Sequence, residues 1–361
     1  MKPLRIFALL FLTTWAVAGP DTLRIEIQPL PASVRPLLEQ GKAGPYVFSY
    51  PDYYTWCPSI IRDEKGRYQL FHSRWPKAKA WTSWLTHSEI DRAVATSPEG
   101  PYTPMGVVIP AASEGRGKWF DAHNPKIEKF DGTYWLYFIQ TWGTDITESM
   151  RTEIARKAYS HPKWSGELRP NQRTFVANAT SLDGPWSITP DPIVEPARTI
   201  VRLTVNPAVC RRPDGSYLMI VKGDKPGEQK FIRNQAVATS PKPQGPWTIT
   251  DKPAIDYMDT EDVSLWYDQV RGRYYAVFHE TTNGRGFIGM ITSEDGLNWG
   301  KSAQFELTPK VVHLDDGTIW KPDMMERPYM LCDEKGNPTH LVVACVSNKH
   351  SSIVILPIKV K

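Results

Sequence analysis

The sequence predicts an all-β fold, a five-bladed β-propeller, on three observations. One strand–turn–strand pattern recurs five times along the chain, a third strand of small and apolar residues follows four of the copies, and three of those third strands run into a Gly-Pro-aromatic turn. Radially repeated four-stranded sheets around a central channel satisfy all three. A β-sandwich would also use many short strands, but it would not repeat the same glycine-aromatic hairpin five times.

The first hairpin runs from Trp56-Cys57-Pro58-Ser59-Ile60-Ile61 to Gly66-Arg67-Tyr68-Gln69-Leu70-Phe71, and the second from Asn124-Pro125-Lys126-Ile127 to Gly132-Thr133-Tyr134-Trp135-Leu136-Tyr137. The third joins Asn206-Pro207-Ala208-Val209 to Gly215-Ser216-Tyr217-Leu218-Met219-Ile220. The fourth joins Asp262-Val263-Ser264-Leu265-Trp266 to Gly272-Arg273-Tyr274-Tyr275-Ala276-Val277. The fifth starts at Arg327-Pro328-Tyr329-Met330-Leu331 and passes Gly336 to His340-Leu341-Val342-Val343-Ala344. Third strands follow at Ala93–Ser97, Ala177–Ser181, Ala236–Ser240 and Gly289–Ser293, and glycine-containing turns then reverse the chain into an outer strand. The early segment Leu23-Arg24-Ile25-Glu26-Ile27 is expected to close the ring by pairing with the last blade.

Composition narrows the function. Lys and Arg number 43 against 39 Asp and Glu, a formal net charge of +4 that is scattered rather than striped. That excludes a nucleic-acid binder of the usual kind. The basic head Met1–Arg5, the short apolar run Ile6–Trp15 and the Ala16-Val17-Ala18 site read as a signal peptide over residues 1–18, cut after Ala18. Residues 19–361 are then the propeller, secreted or periplasmic. The apolar run is shorter than the roughly 20 residues a membrane span needs, and no later segment supplies one. The four cysteines, Cys57, Cys210, Cys332 and Cys345, match no zinc spacing and are expected to be buried free thiols.

Propeller geometry places the chemistry. The start of strand one, the end of strand two and the start of strand three share one rim, and the long connections Trp75–Ser88, Gln140–Gln172 and Gly223–Asn234 rise from it. Long loops on one face of a rigid scaffold form binding sites. On that rim lie Trp56, Asp121, His123, Asn124, Asn206, Glu261, Asp262, Glu326 and Arg327; strand-two ends add His72, Arg74, Lys222 and His279, and strand-three starts add Glu89 and Arg173.

Carboxylates that converge on an axis beside Trp and Arg suit glycosidic bond hydrolysis, where one acid protonates the leaving oxygen and a second carboxylate activates water or attacks. Glu261 is the first choice for the acid, and Glu326, Asp121 or Glu89 for the base or nucleophile. Adjacent Glu261 and Asp262 would face opposite ways on a regular strand, unless a bulge at the strand start lets both enter. Trp56, Trp75 and Trp84 are stacking candidates. His72, His123, Asn124, Asn206 and His279 are candidates for sugar hydroxyls, and His123 also for a central cation. Arg74, Arg173, Lys222 and Arg327 either neutralise the carboxylates or hold a uronate or sulfate on the substrate. No cofactor is required for this chemistry, and a central structural cation such as calcium is compatible with it.

The hairpins with their Gly-Pro-Trp turns resemble the five-bladed glycoside hydrolases of families 43, 32 and 117, and above all a bacterial family-43-like branch. The resemblance rests on Cys57-Pro58-Ser59, His87-Ser88-Glu89-Ile90, His123-Asn124-Pro125, Asn171-Gln172-Arg173, Glu261-Asp262, Trp266 and Glu326-Arg327-Pro328, and it covers nearly the whole mature chain. It implies an exo-acting glycoside hydrolase on a carbohydrate chain end, with Glu261 at the position of the family-43 acid. Glu326 matches an acidic residue of family 117. The chain departs from family 43 where that family places its general-base Asp, here Cys57, and its pKa-modulating Asp, here Asn206. Two other readings therefore stand beside hydrolysis: a glycoside phosphorylase, since family 130 uses the same scaffold, and a glycan-binding propeller that does not turn over.

Overall fold

A computed structural model of the protein describes residues 20–111, 118–228, 231–281 and 286–361. The expected signal peptide lies outside the described residues. Five sheets form the five blades, each numbered from its innermost strand outward. The innermost strands are Tyr53–Arg62, Trp119–Phe130, Val201–Arg211, Thr260–Asp268 and Met324–Cys332. Every strand in a blade pairs antiparallel with the next, as short hairpin turns require.

The ring closes as the sequence predicts. Ile25–Ile27 pairs antiparallel with Ile358–Val360 of the last strand and becomes the outer strand of blade five. Val47–Phe48 pairs with Ile353 and Val354 of that same strand. The N-terminal segment and the last three strands thus build one sheet.

Blades pack face to face, so the core is divided among the gaps between them. Phe71, Ile90, Leu136 and Phe138 fill the gap between blades one and two, and Tyr137, Val176, Met219 and Val221 the next. Leu218, Ile220, Ala276 and Phe278 join blades three and four, while Trp266, Tyr275, Leu341 and Val343 join four and five. Phe48, Leu70, Tyr329 and Val342 complete the circle. Inner strands also bond across the gaps through serine: Ile127 N donates to Ser59 Oγ at 3.0 Å and Met330 N to Ser264 Oγ at 3.1 Å. Gly336, at φ +80°, sits where an added Cβ would come within 2.2 Å of Tyr267 O, so this turn between strands of blade five admits no side chain. All four cysteines are free, and Cys332 is the least buried of them.

The expected long connections are present and carry helices. Trp81–Ser83 and Trp84–His87 rise from blade one; Glu148–Lys157 rises from blade two, capped by Thr147 Oγ1, which accepts from Met150 N at 3.2 Å. Leu85, Phe120, Ile154, Trp164 and Leu168 pack these insertions together into a wall above the rim. No helix among the described residues is long and apolar enough to cross a membrane.

Candidate active site

Each innermost strand breaks register at the same place. The pairing jumps between Trp56 and Ser59, His123 and Lys126, Val205 and Ala208, Glu261 and Ser264, and Glu326 and Tyr329. Within these breaks Cys57, Asn124, Asn206, Asp262 and Arg327 all take left-handed backbone conformations, with φ between 54° and 63°. A bulge bends its strand and re-aims its side chains. Five equivalent bulges therefore deliver two layers of side chains to the axis, one from each blade.

The lower layer is a chain of bonds across the axis. Cys57 Sγ donates to Asn124 Oδ1 at 2.5 Å, and Asn124 Nδ2 donates to Asn206 Oδ1. Asn206 Nδ2 donates to Asp262 Oδ1 at 2.8 Å, and Arg327 donates to that same oxygen. Burial pushes the Cys57 thiol up to about 12, despite nearby Arg327, so it stays neutral.

The upper layer is Trp56, His123, Val205, Glu261 and Glu326, and all five line a cavity of about 670 Å³ above the floor. Its walls divide by chemistry. Blade one contributes Trp56, Trp75, Trp81 and Trp84; blades two and three add Trp164, Arg169, Arg202, Lys222, Phe231 and Arg233; blades four and five bring the two acids. The indole of Trp81 meets Trp56 and Trp75 edge-on, each with centroids 5.2 Å apart, and Trp84 stacks on His123 at 5.1 Å. His123 is anchored by Ser88 Oγ at 2.7 Å from Nδ1; burial, then Arg327, drives its pKa well below the ordinary imidazole value.

The two acids live in opposite environments. Glu261 Oε1 accepts from Lys222 Nζ at 2.5 Å and lies 2.6 Å from Arg233 Nε. Burial alone would raise its pKa, but Lys222, Arg233 and Arg327 outweigh burial and hold it well below the usual carboxylate range. Among the described residues Glu326 has no such clamp; His279 Nε2 stands 3.9 Å from its Oε1. Burial raises the Glu326 pKa, and Asp262 and Glu261 add to the rise against His279 and Arg327. One cavity thus holds two carboxyl groups whose surroundings push them in opposite directions, Glu261 down and Glu326 up.

Asp262 and His279 sit beneath the cavity rather than in its wall, with His279 Nδ1 3.3 Å from Asp262 Oδ2. The bulge resolves the expected conflict between Glu261 and Asp262: both reach the axis, at different depths. The ligand atoms of Glu261, Asp262 and His279 lie within 4.8 Å of one another, a spacing that suits a cation. Lys222, Arg233 and Arg327 already supply positive charge there.

The remaining expected site residues lie away from the cavity. Asp121 turns back to accept from Thr141 N at 3.1 Å and Thr141 Oγ1 at 3.0 Å. Glu89 and Arg74 face each other across their own sheet at 2.9 Å, and Arg74 also donates to Asp91 at 2.8 Å. His72 is fully buried beside Phe48 and Tyr50. Arg173 donates to Glu195 and to the carbonyl of Arg202, each at 2.8 Å. At the strand-two end and strand-three start of blade one and the strand-three start of blade two these side chains meet a neighbouring chain segment first, whereas Lys222 and Arg233 of blade three reach the cavity. Sequence reasoning missed Arg169, Arg202, Phe231, Arg233, Tyr159 and Trp164. Arg233 was within reach, since the third strand of blade three begins there, three residues before the expected start at Ala236.

No protein-family model and no curated protein sequence matches the chain. Solved structures do. A family 117 glycoside hydrolase from the marine bacterium Zobellia galactanivorans superposes with a TM-score of 0.61 at 15% identity, over 95% of this chain and 91% of that one. The fold is the one these glycoside hydrolases use. An alpha-L-arabinofuranosidase from Lactobacillus brevis gives 0.57 at 14% identity, over 88% of this chain and 93% of that one. A thermostable family-43 glycoside hydrolase gives 0.58 at 13% identity, over 87% and 94%.

Proposed function

We propose that this protein hydrolyses glycosidic bonds at the end of a carbohydrate chain, with Glu326 as general acid and Glu261 as the ionised partner. The observation that carries the reading is the divergence of two carboxyl groups in one cavity. Pairs of titratable groups pushed apart by their surroundings mark acid and base roles. Glu326, raised by burial, is the one suited to carry a proton to the leaving oxygen; Glu261, held low by its cations, is the one suited to accept a proton from water or to attack the anomeric carbon. These roles reverse the order expected from sequence, where Glu261 was the first choice for the acid. The Lys222–Arg233 clamp is the reason.

Asp262, beneath the pair, serves as a positioning residue through His279 and Arg327. The partly exposed indoles of Trp81 and Trp84, backed by buried Trp56 and by His123, offer apolar surface for a pyranose or furanose ring. The wall built by Leu85, Ile154, Trp164 and Leu168 above a closed floor favours a chain end, because a walled pocket leaves less room than an open groove for a segment that continues in both directions. Met1–Ala18 supports action outside the cytoplasm. Acid–base work by two carboxyls needs no cofactor.

The test is a screen of the purified protein against plant and algal oligosaccharides with product analysis. Release of terminal sugar units by wild type, lost in E326Q and in E261Q, supports the reading. Turnover that survives E326Q would remove the proposed acid.

A further inference from the structure

We propose that the cavity contains a subsite for an anionic substituent of the sugar, with Arg202 as its principal contact. The inference rests on the glycosidase reading for its substrate class, but not for its evidence. The cationic candidates expected from sequence are all engaged: Arg74 by Glu89 and Asp91, Arg173 by Glu195, Lys222 by Glu261, and Arg327 by Asp262. Arg202 is different. Its side chain lines the cavity, is 58% exposed, and comes no closer than 3.8 Å to its acidic neighbour Asp224. Both oxygens of Asp224 already accept from Arg169, at 2.8 and 2.6 Å. Among the described residues the Arg202 guanidinium donates no hydrogen bond and makes only the long ion pair to Asp224, so its planar fork is left for a ligand.

The backbone is built to hold it there. Arg202 takes φ +70° within a break of register between Val201 and Val205. A bulky side chain in the left-handed region costs stability, and such residues concentrate at binding and catalytic sites. Arg173 Nη1 clamps the carbonyl of Arg202 at 2.8 Å. The guanidinium groups of Arg169 and Arg233 bracket the exposed ring of Phe231 at 4.0 and 4.6 Å, but both are already paired, Arg169 with Asp224 and Arg233 with Asp259 and Glu261, which leaves Arg202 as the open contact at this rim. A sugar stacked on the indoles would present a carboxylate or sulfate ester to this corner, and the shared chemistry is an oxyanion that accepts two parallel N–H bonds.

The experiment probes full-length mature E326Q protein on an array of hexuronate, sulfated hexose and neutral hexose oligosaccharides of matched linkage, with affinities of the best ligands then measured by calorimetry. Acidic ligands are expected to bind about tenfold or more tightly than their neutral counterparts, in line with a charge-assisted pair. The preference should vanish in R202Q/E326Q and return only in part in R202K/E326Q, which keeps the charge but not the fork. Selectivity for hexuronate or for sulfate identifies the source of the oxyanion. Equal binding of neutral and acidic ligands, no binding to any of them, or a preference that survives R202Q in a protein with unchanged circular dichroism overturns the inference. Cleavage by wild type that depends on inorganic phosphate and yields sugar phosphate also overturns it, since the cations would then hold the nucleophile. Selective binding of acidic sugars by a protein that cleaves none would leave this subsite standing and remove the hydrolase reading.

Discussion

Arg327 and Asp262, one residue past Glu326 and Glu261 on neighbouring blades, form an ion pair at the propeller axis. Asp262 Oδ1 takes bonds from both Arg327 and Asn206, while Oδ2 faces His279. The pair couples the floor of the cavity to the groups above it, and it sets the first prediction.

D262N should destabilise the protein by about 3–5 kcal/mol, because it strands a buried guanidinium without its counter-charge. Urea denaturation of wild type and variant measures this. A change below about 1 kcal/mol would show that the axis does not depend on the pair.

E326Q should lower kcat by about three orders of magnitude or more while leaving sugar affinity within a few-fold, as expected for removal of a proton donor. The same variant should be more heat-stable than wild type at neutral pH. A carboxyl whose folded pKa is raised binds its proton more tightly folded than unfolded. Its contribution therefore favours folding at low pH and is lost as pH climbs from the unfolded value through the folded one. Glutamine removes that cost. Melting curves at neutral pH test the sign directly.

The pH profile of kcat/KM follows from the same two directions. The limb set by Glu326 should lie above the ordinary glutamate value of about 4.3, with activity falling as pH rises through it. The limb set by Glu261 should lie below that value, with activity falling as pH drops through it. The Glu261 ion pairs contribute stability above the unfolded pKa, lost as pH falls through the folded one. An acidic limb at or above the ordinary value would contradict Glu261 as the ionised partner.

Cys57 should be inert. Its thiol is buried, donates to Asn124 and is pushed up to about 12, whereas alkylation needs the thiolate. Iodoacetamide at pH 8 should leave Cys57 unmodified in native protein and modify it after unfolding, as read by peptide mass spectrometry. Rapid native labelling would mean the axial floor opens.

The propeller was legible because each blade repeats one hairpin with the same turn glycines and inner-strand polar starts. Trp56, His123, Glu261 and Glu326 were legible for a related reason: each sits at the same offset in its blade, and the repeat itself marks the offset. Glu89, Arg74 and Asp121 share the rim by position but turn into their own sheets, and a one-dimensional pattern does not carry that rotation. Arg169, Tyr159 and Trp164 belong to an insertion whose sequence is not repeated in the other blades, so no repeat pointed to them. Arg202 owes its direction to a bulge, which sequence alternation does not register.

The bonded chain from Cys57 through Asn124, Asn206 and Asp262 to Arg327 also separates the cavity from a second depression at the opposite mouth, lined by Lys126, Glu128 and Tyr329. Traffic is therefore one-way-in and same-way-out. Under the proposed chain-end hydrolysis, a released sugar would have to retrace the entry path before the shortened chain could advance, and departure of the small product would then set the pace of repeated trimming.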